Sequence, residues 1–98
     1  MGLFTVRVEL HNATWPTDYQ TLHIAMTKAG FSNLVKADSG VVYQLPTAEY
    51  NSEGNYTIQQ IQNAANNAAS SVGRRYAVLV TEGVKRLWTG LQPVMQHH

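Results

Sequence analysis

From Phe4 to His11, apolar and polar side chains alternate without a break. Phe4, Val6, Val8 and Leu10 fall on one side; Thr5, Arg7, Glu9 and His11 fall on the other. A period of two excludes a helix and describes a strand with one face in a core. Such a strand needs partner strands and a layer to pack on. The order of the later signals supplies both. An amphipathic helix comes next, then a hairpin around Asp38-Ser39-Gly40. A second helix leads to the apolar run Tyr76-Ala77-Val78-Leu79-Val80. The order β-α-β-β-α-β is the split βαβ, or ferredoxin-like, layout: an α+β fold with an antiparallel sheet and two helices on one face.

The helix boundaries carry their own signals. Thr17-Asp18-Tyr19-Gln20 has the spacing of a capping box, with Thr17 as N-cap and Gln20 at N3. Tyr19, Leu22 and Met26 form a stripe that Ile24, Ala25 and Ala29 widen, and Gly30 stops the helix. Thr57-Ile58-Gln59-Gln60 repeats the start signal, and Gly73 repeats the stop. Between them Ile58, Ile61, Ala65, Ala68 and Val72 recur at helical spacing.

Strands are expected over Phe31 to Ala37, Val41 to Leu45 and Arg75 to Thr81. Pro46 ends the third strand, because it cannot donate to a ladder. Thr47 to Asn55 reads as the longest irregular segment, with Glu49, Tyr50 and Tyr56 as candidate contact residues on a loop. Strand four is apolar at successive positions, so both of its faces ask for cover. A second copy, making a homodimer, or the segment Val84 to Leu91, with Leu87, Trp88 and Leu91, is the expected cover. Residues 1–91 are expected to form a single domain, with a possible extra C-terminal strand and a flexible tail over 92–98.

Composition narrows the chemistry. Among 98 residues only 13% are charged, and the formal net charge is +1. That is too little to hold nucleic acid by bulk electrostatics, so any such surface has to be local. It also does little to keep copies apart. There are no cysteines, which rules out disulfides, thiolate catalysis and cysteine zinc sites. No apolar run reaches the length of a membrane span and the N-terminus carries no secretory pattern, so a cytoplasmic protein without membrane contact is expected.

His11, His23, His97 and His98 lack metal-ligand spacing, and no cofactor fingerprint is present. His97 and His98 also resemble the remnant of a purification tag. Arg7, Glu9 and His11 share the polar face of the first strand. They are a surface ion-pair cluster or, alternatively, a base, an acid and a cation for RNA cleavage by the 2′-hydroxyl, which needs no metal. Four of the seven basic residues, Arg74, Arg75, Lys85 and Arg86, fall close together near Trp88. Arginine clamps phosphate and an indole stacks on a base. The alternative is a guarded sheet edge with Trp88 in the core.

Three stretches carry a resemblance: Leu3-Phe4-Thr5-Val6-Arg7-Val8-Glu9-Leu10, Val42-Tyr43-Gln44-Leu45-Pro46-Thr47-Ala48-Glu49-Tyr50 and Val78-Leu79-Val80-Thr81-Glu82. Over about residues 3 to 91 the chain resembles the GhoS-like family, small proteins of enterobacteria and their phages that include the antitoxin of a type V toxin–antitoxin system. The resemblance implies a ferredoxin-like fold, related in shape to small CRISPR-associated proteins. It also implies sequence-selective endoribonuclease activity against a toxin message, and assigns no catalytic residue. The competing expectation is a non-catalytic phage or plasmid accessory that binds a host protein through its sheet face or the 47–56 segment.

Overall fold

The computed structural model describes residues 2–83 and 87–94. The elements run β1 (Gly2–Leu10), α1 (Thr17–Lys28), β2 (Leu34–Lys36), β3 (Val42–Gln44), β4 (Glu49–Gly54), α2 (Ile58–Ser70) and β5 (Tyr76–Gly83). β1 lies at the centre of an antiparallel sheet of order β4-β1-β5. β2 and β3 form a hairpin that joins this sheet through a bridge between Ser32 and Asn51. The fold is α+β and ferredoxin-like, with an additional strand. Among the described residues no helix is long and apolar enough to cross a membrane.

The alternation in β1 works as its period requires. Phe4, Val6, Val8 and Leu10 are buried beneath Leu22 and Met26 of α1 and Ile61, Ala65, Ala68 and Ala69 of α2. The alanines of α2 let its backbone lie close to the sheet, and Tyr76, Val78 and Val80 of β5 close the same core. Full burial of a side chain such as Phe4 contributes roughly 1.5–3 kcal/mol. Ile24 departs from expectation: it is 57% exposed on the outside of α1.

The two helix starts differ. At α2, Thr57 Oγ1 accepts from the Gln60 N–H at 3.1 Å, and Gln60 Oε1 accepts from the Thr57 N–H at 2.8 Å, a complete capping box. At α1 the expected box is absent, because the chain is already helical at Thr17 and Pro16 occupies the cap position. The reciprocal bonds lie further upstream. The Thr14 N–H donates to Asp18 Oδ2 at 2.7 Å, and the Asp18 N–H donates to the Thr14 carbonyl at 2.9 Å. The C-terminus of α1 follows its signal. Gly30 takes a φ of +95°, its N–H donates to the Thr27 carbonyl, and the Phe31 N–H donates to the Met26 carbonyl. That is a Schellman ending, with Phe31 and Met26 both buried.

Three expectations about the second half of the sheet need correction. Pro46 follows the end of its strand as expected, since β3 stops at Gln44, but the chain beyond it does not stay irregular. Residues 45–48 loop out, with Ala48 at a φ of +62°, and pairing resumes as β4. The polar stretch expected as a loop is therefore the strand beside β1. It forms because the Val6 side of β1 needs a ladder partner, and Tyr50 fills the one large inward position. The described part of the segment after β5, residues 87–91, leaves that strand uncovered, and 84–86 lie outside the described residues. Leu87 is 99% exposed, Trp88 packs edge-on against Tyr43 with ring centroids 5.6 Å apart, and Leu79 of β5 stays 63% exposed. Residues 92–94, expected as part of the tail, run beside β3. The Gln44 N–H donates to the Gln92 carbonyl, and the Val94 N–H to the Val42 carbonyl.

Candidate functional site on the open sheet face

The helices cover one face of the sheet and leave the other open. Register assigns to the open face Thr5, Arg7 and Glu9 of β1, Glu49, Asn51 and Glu53 of β4, and Ala77, Leu79 and Thr81 of β5. Arg7 stands directly opposite Glu49 on one side and Leu79 on the other.

Glu9 and His11 meet at the end of β1, with His11 Nδ1 3.7 Å from Glu9 Oε1 and both side chains solvent-accessible. Alternate residues of a strand share a face, and this brings them together. The His11 N–H donates to the Arg75 carbonyl at 2.8 Å, so the ladder extends one step past β5 and sets Arg75 opposite His11.

Arg74, its neighbour, serves the helix layer. Its Nε donates to Asp18 Oδ2 at 2.8 Å, and its Nη2 reaches Thr14 Oγ1 at 3.5 Å. The Thr14 N–H, together with Arg74, holds the Asp18 carboxyl below its usual value of 3.8. The two arginines therefore have different settings: Arg74 ties the α1 start to the β5 start, and Arg75 borders the open face.

Where β4 turns away at Glu49, no strand among the described residues pairs with the rest of β1 on that side. A hollow of about 270 Å³ opens there, lined by Arg7, Glu9, Trp15, Tyr19, Thr47 and Ala48. The Leu10 N–H at its back donates to the Tyr19 hydroxyl at 3.4 Å. Trp15 is 64% exposed at the rim, its ring 5.5 Å from that of Tyr19. Trp15 is the residue that sequence reasoning missed. Its only signal was a tryptophan before a proline in a polar loop.

The remaining candidates lie elsewhere. Trp88 lines a wide cleft of about 710 Å³ with Leu3, Lys36, Asp38 and Glu53. The ladder partner of Leu3, Gly83, is at the opposite end of β5 from Arg75. Lys85 and Arg86, like His97 and His98, lie outside the described residues. Tyr50 is no loop contact: it is buried in the core, and burial pushes its hydroxyl up to about 12. Tyr56 is half exposed after β4. Its ring lies so close over Gly54 that a Cβ there would sit 2.7 Å from it. His23 is exposed on α1, its ring stacked 6.0 Å from Tyr50. Among the described residues no group of three His, Asp or Glu side chains is placed to hold a metal ion.

Chemically, the open face offers a carboxylate and an imidazole within 4 Å, Arg7 on the same face of β1, Arg75 opposite His11 in the ladder, and an exposed indole over the adjoining hollow. Set against models of known protein families and against curated proteins, the chain matches neither a family nor a protein.

Proposed function

We propose that this is an RNA-directed protein of the cytoplasm, a metal-independent endoribonuclease of the GhoS-like kind, working at the hollow beside Arg7, Glu9 and His11. The observation that carries this reading is the Glu9–His11 pair, 3.7 Å apart, beside a concavity that Arg7 lines and Trp15 rims. An unpaired base stacks on Trp15, and the adjoining phosphate lies against Arg7 and Arg75. Glu9 takes the proton of the 2′-hydroxyl as its oxygen attacks phosphorus. Protonated His11 gives its proton to the departing 5′-oxygen, and the arginines offset the charge of the phosphorane. One P–O bond forms, one breaks, and the product ends in a 2′,3′-cyclic phosphate.

The test is incubation with mixed cellular RNA in the presence of chelator. Cleavage is expected, with cyclic phosphate ends, and His11→Ala and Glu9→Gln should each lower the rate by about 10²-fold or more. Intact RNA at high protein concentration refutes the reading.

A second reading is supported by a different surface. An apolar groove of about 500 Å³ runs along α1 between Trp15, Ile24 and the 45–48 loop. With Ile24 57% exposed there, a non-catalytic accessory that docks a host protein is the alternative. Absence of both cleavage and RNA binding would favour it.

A further inference from the structure

β5 is an edge strand of eight residues. The bond between the His11 N–H and the Arg75 carbonyl fixes which of its groups face β1. In an antiparallel ladder, bonded pairs alternate with unbonded ones. Ala77, Leu79, Thr81 and Gly83 therefore turn their N–H and C=O groups toward β1. Tyr76, Val78, Val80 and Glu82 turn theirs outward, and among the described residues no strand lies beyond them. Soluble proteins guard such edges with lysine, proline, a bulge or a cover. Tyr76 to Thr81 has no charged residue and no proline, its pairing with β1 is unbroken, and Leu79 stands 63% exposed at its middle.

We infer that this edge pairs with the same edge of a second copy, antiparallel, about a two-fold axis at Leu79. The occupant is a second copy because the strand complements itself in that register. Val78 meets the partner's Val80, Tyr76 meets the partner's Glu82, and every outward N–H and C=O of these residues finds a partner. Leu79 meets the partner's Leu79 as an unbonded pair, the closer type, with Cα atoms about 4.5 Å apart. The most exposed apolar side chain of the strand is thereby covered. An axis at Glu82 would set carboxylates against each other, and an axis at Ala77 or Thr81 would leave Leu79 without an apolar partner across the seam. A net charge of +1 offers little repulsion between copies. The result is one continuous six-stranded sheet with both open faces on the same side. It stands independently of the RNA reading.

The chain has no cysteine, so single cysteines report the register directly. Sedimentation of the full chain should give twice the monomer mass. Under mild oxidation Leu79→Cys should cross-link to itself, since about 4.5 Å between Cα atoms lies within disulfide reach. Ala77→Cys and Thr81→Cys should each fail alone and cross-link when mixed. Leu79→Lys, a change at an exposed site, should weaken the dimer by about tenfold or more through like charges set opposite. A monomer at high concentration overturns the inference. So does a dimer in which Leu79→Cys stays reduced while Ala77→Cys or Thr81→Cys joins to itself.

Discussion

Thr17 and Thr57 look alike in sequence, each followed three residues later by glutamine, yet only one caps a helix. Replacing each with alanine separates them. In Thr57→Ala the Gln60 N–H loses its acceptor, and the return bond from Gln60 loses the geometry that held it. Loss of a threonine cap costs about 1 kcal/mol. In a domain of this size that lowers the melting temperature by about 5 °C, and the urea midpoint by about 1 M at an unchanged slope. Thr17 sits inside the first turn with its side chain exposed. Alanine there removes no capping bond and has the better helix propensity, so stability should hold or rise slightly. Thermal and urea unfolding followed by circular dichroism on both variants is the assay. Equal losses, or a larger loss for Thr17→Ala, would refute the assignment of the α1 start to Thr14 and Asp18.

Two predictions concern pH. The Asp18 carboxyl is depressed, first by the Thr14 N–H and then by Arg74. Its contribution is therefore full above pH 3.8, its ordinary value, and is lost as pH falls through the lower folded value. Asp18→Asn should flatten the acid limb of the stability curve, and Arg74→Ala should flatten it only in part. An acid limb unchanged in Asp18→Asn counts against this pairing. The hydroxyl of Tyr50 moves the opposite way, from 10.0 to about 12, because burial disfavours the phenolate. The unfolded chain releases that proton first, so stability should erode as pH rises from 10 toward 12. Tyr50→Phe should remove this alkaline erosion, and unfolding by denaturant between pH 9 and 11 measures it.

How much was legible depended on whether a residue's role was local. The strand around Val6 shows in its alternation, α2 in its cap and alanine spacing, and the hairpin turn in Gly40 at a φ of +90°. β4 was hidden because Glu49-Tyr50-Asn51-Ser52-Glu53-Gly54 has one large apolar residue and a proline just upstream. It is a strand because β1 needs a partner, a demand written some forty residues earlier. The α1 start was misplaced for a local reason: Asp18 bonds back to Thr14 and Pro16 takes the cap position, so Thr17 is already inside the helix. Within the candidate site, Glu9 and His11 were readable as alternate residues on one face. Trp15 was not, because its nearness to Arg7 depends on where β4 turns away from β1. Arg74 and Arg75 are adjacent in sequence yet serve the helix layer and the open face.

The central position of β1 has a consequence during synthesis. Of the three strands of its sheet it is made first, and both of its neighbours come late: Glu49 is the nearest ladder partner in sequence, and β5 follows after α2. Until then, among the buried residues of this core, only those of α1 and Phe31 are available to shield Phe4, Val6, Val8 and Leu10. A nascent chain with few charges thus carries the strand richest in buried core residues with both edges open. A ribosome stalled before Glu49, or any fragment cut short of β4, would leave that strand free to pair with whatever edge it meets.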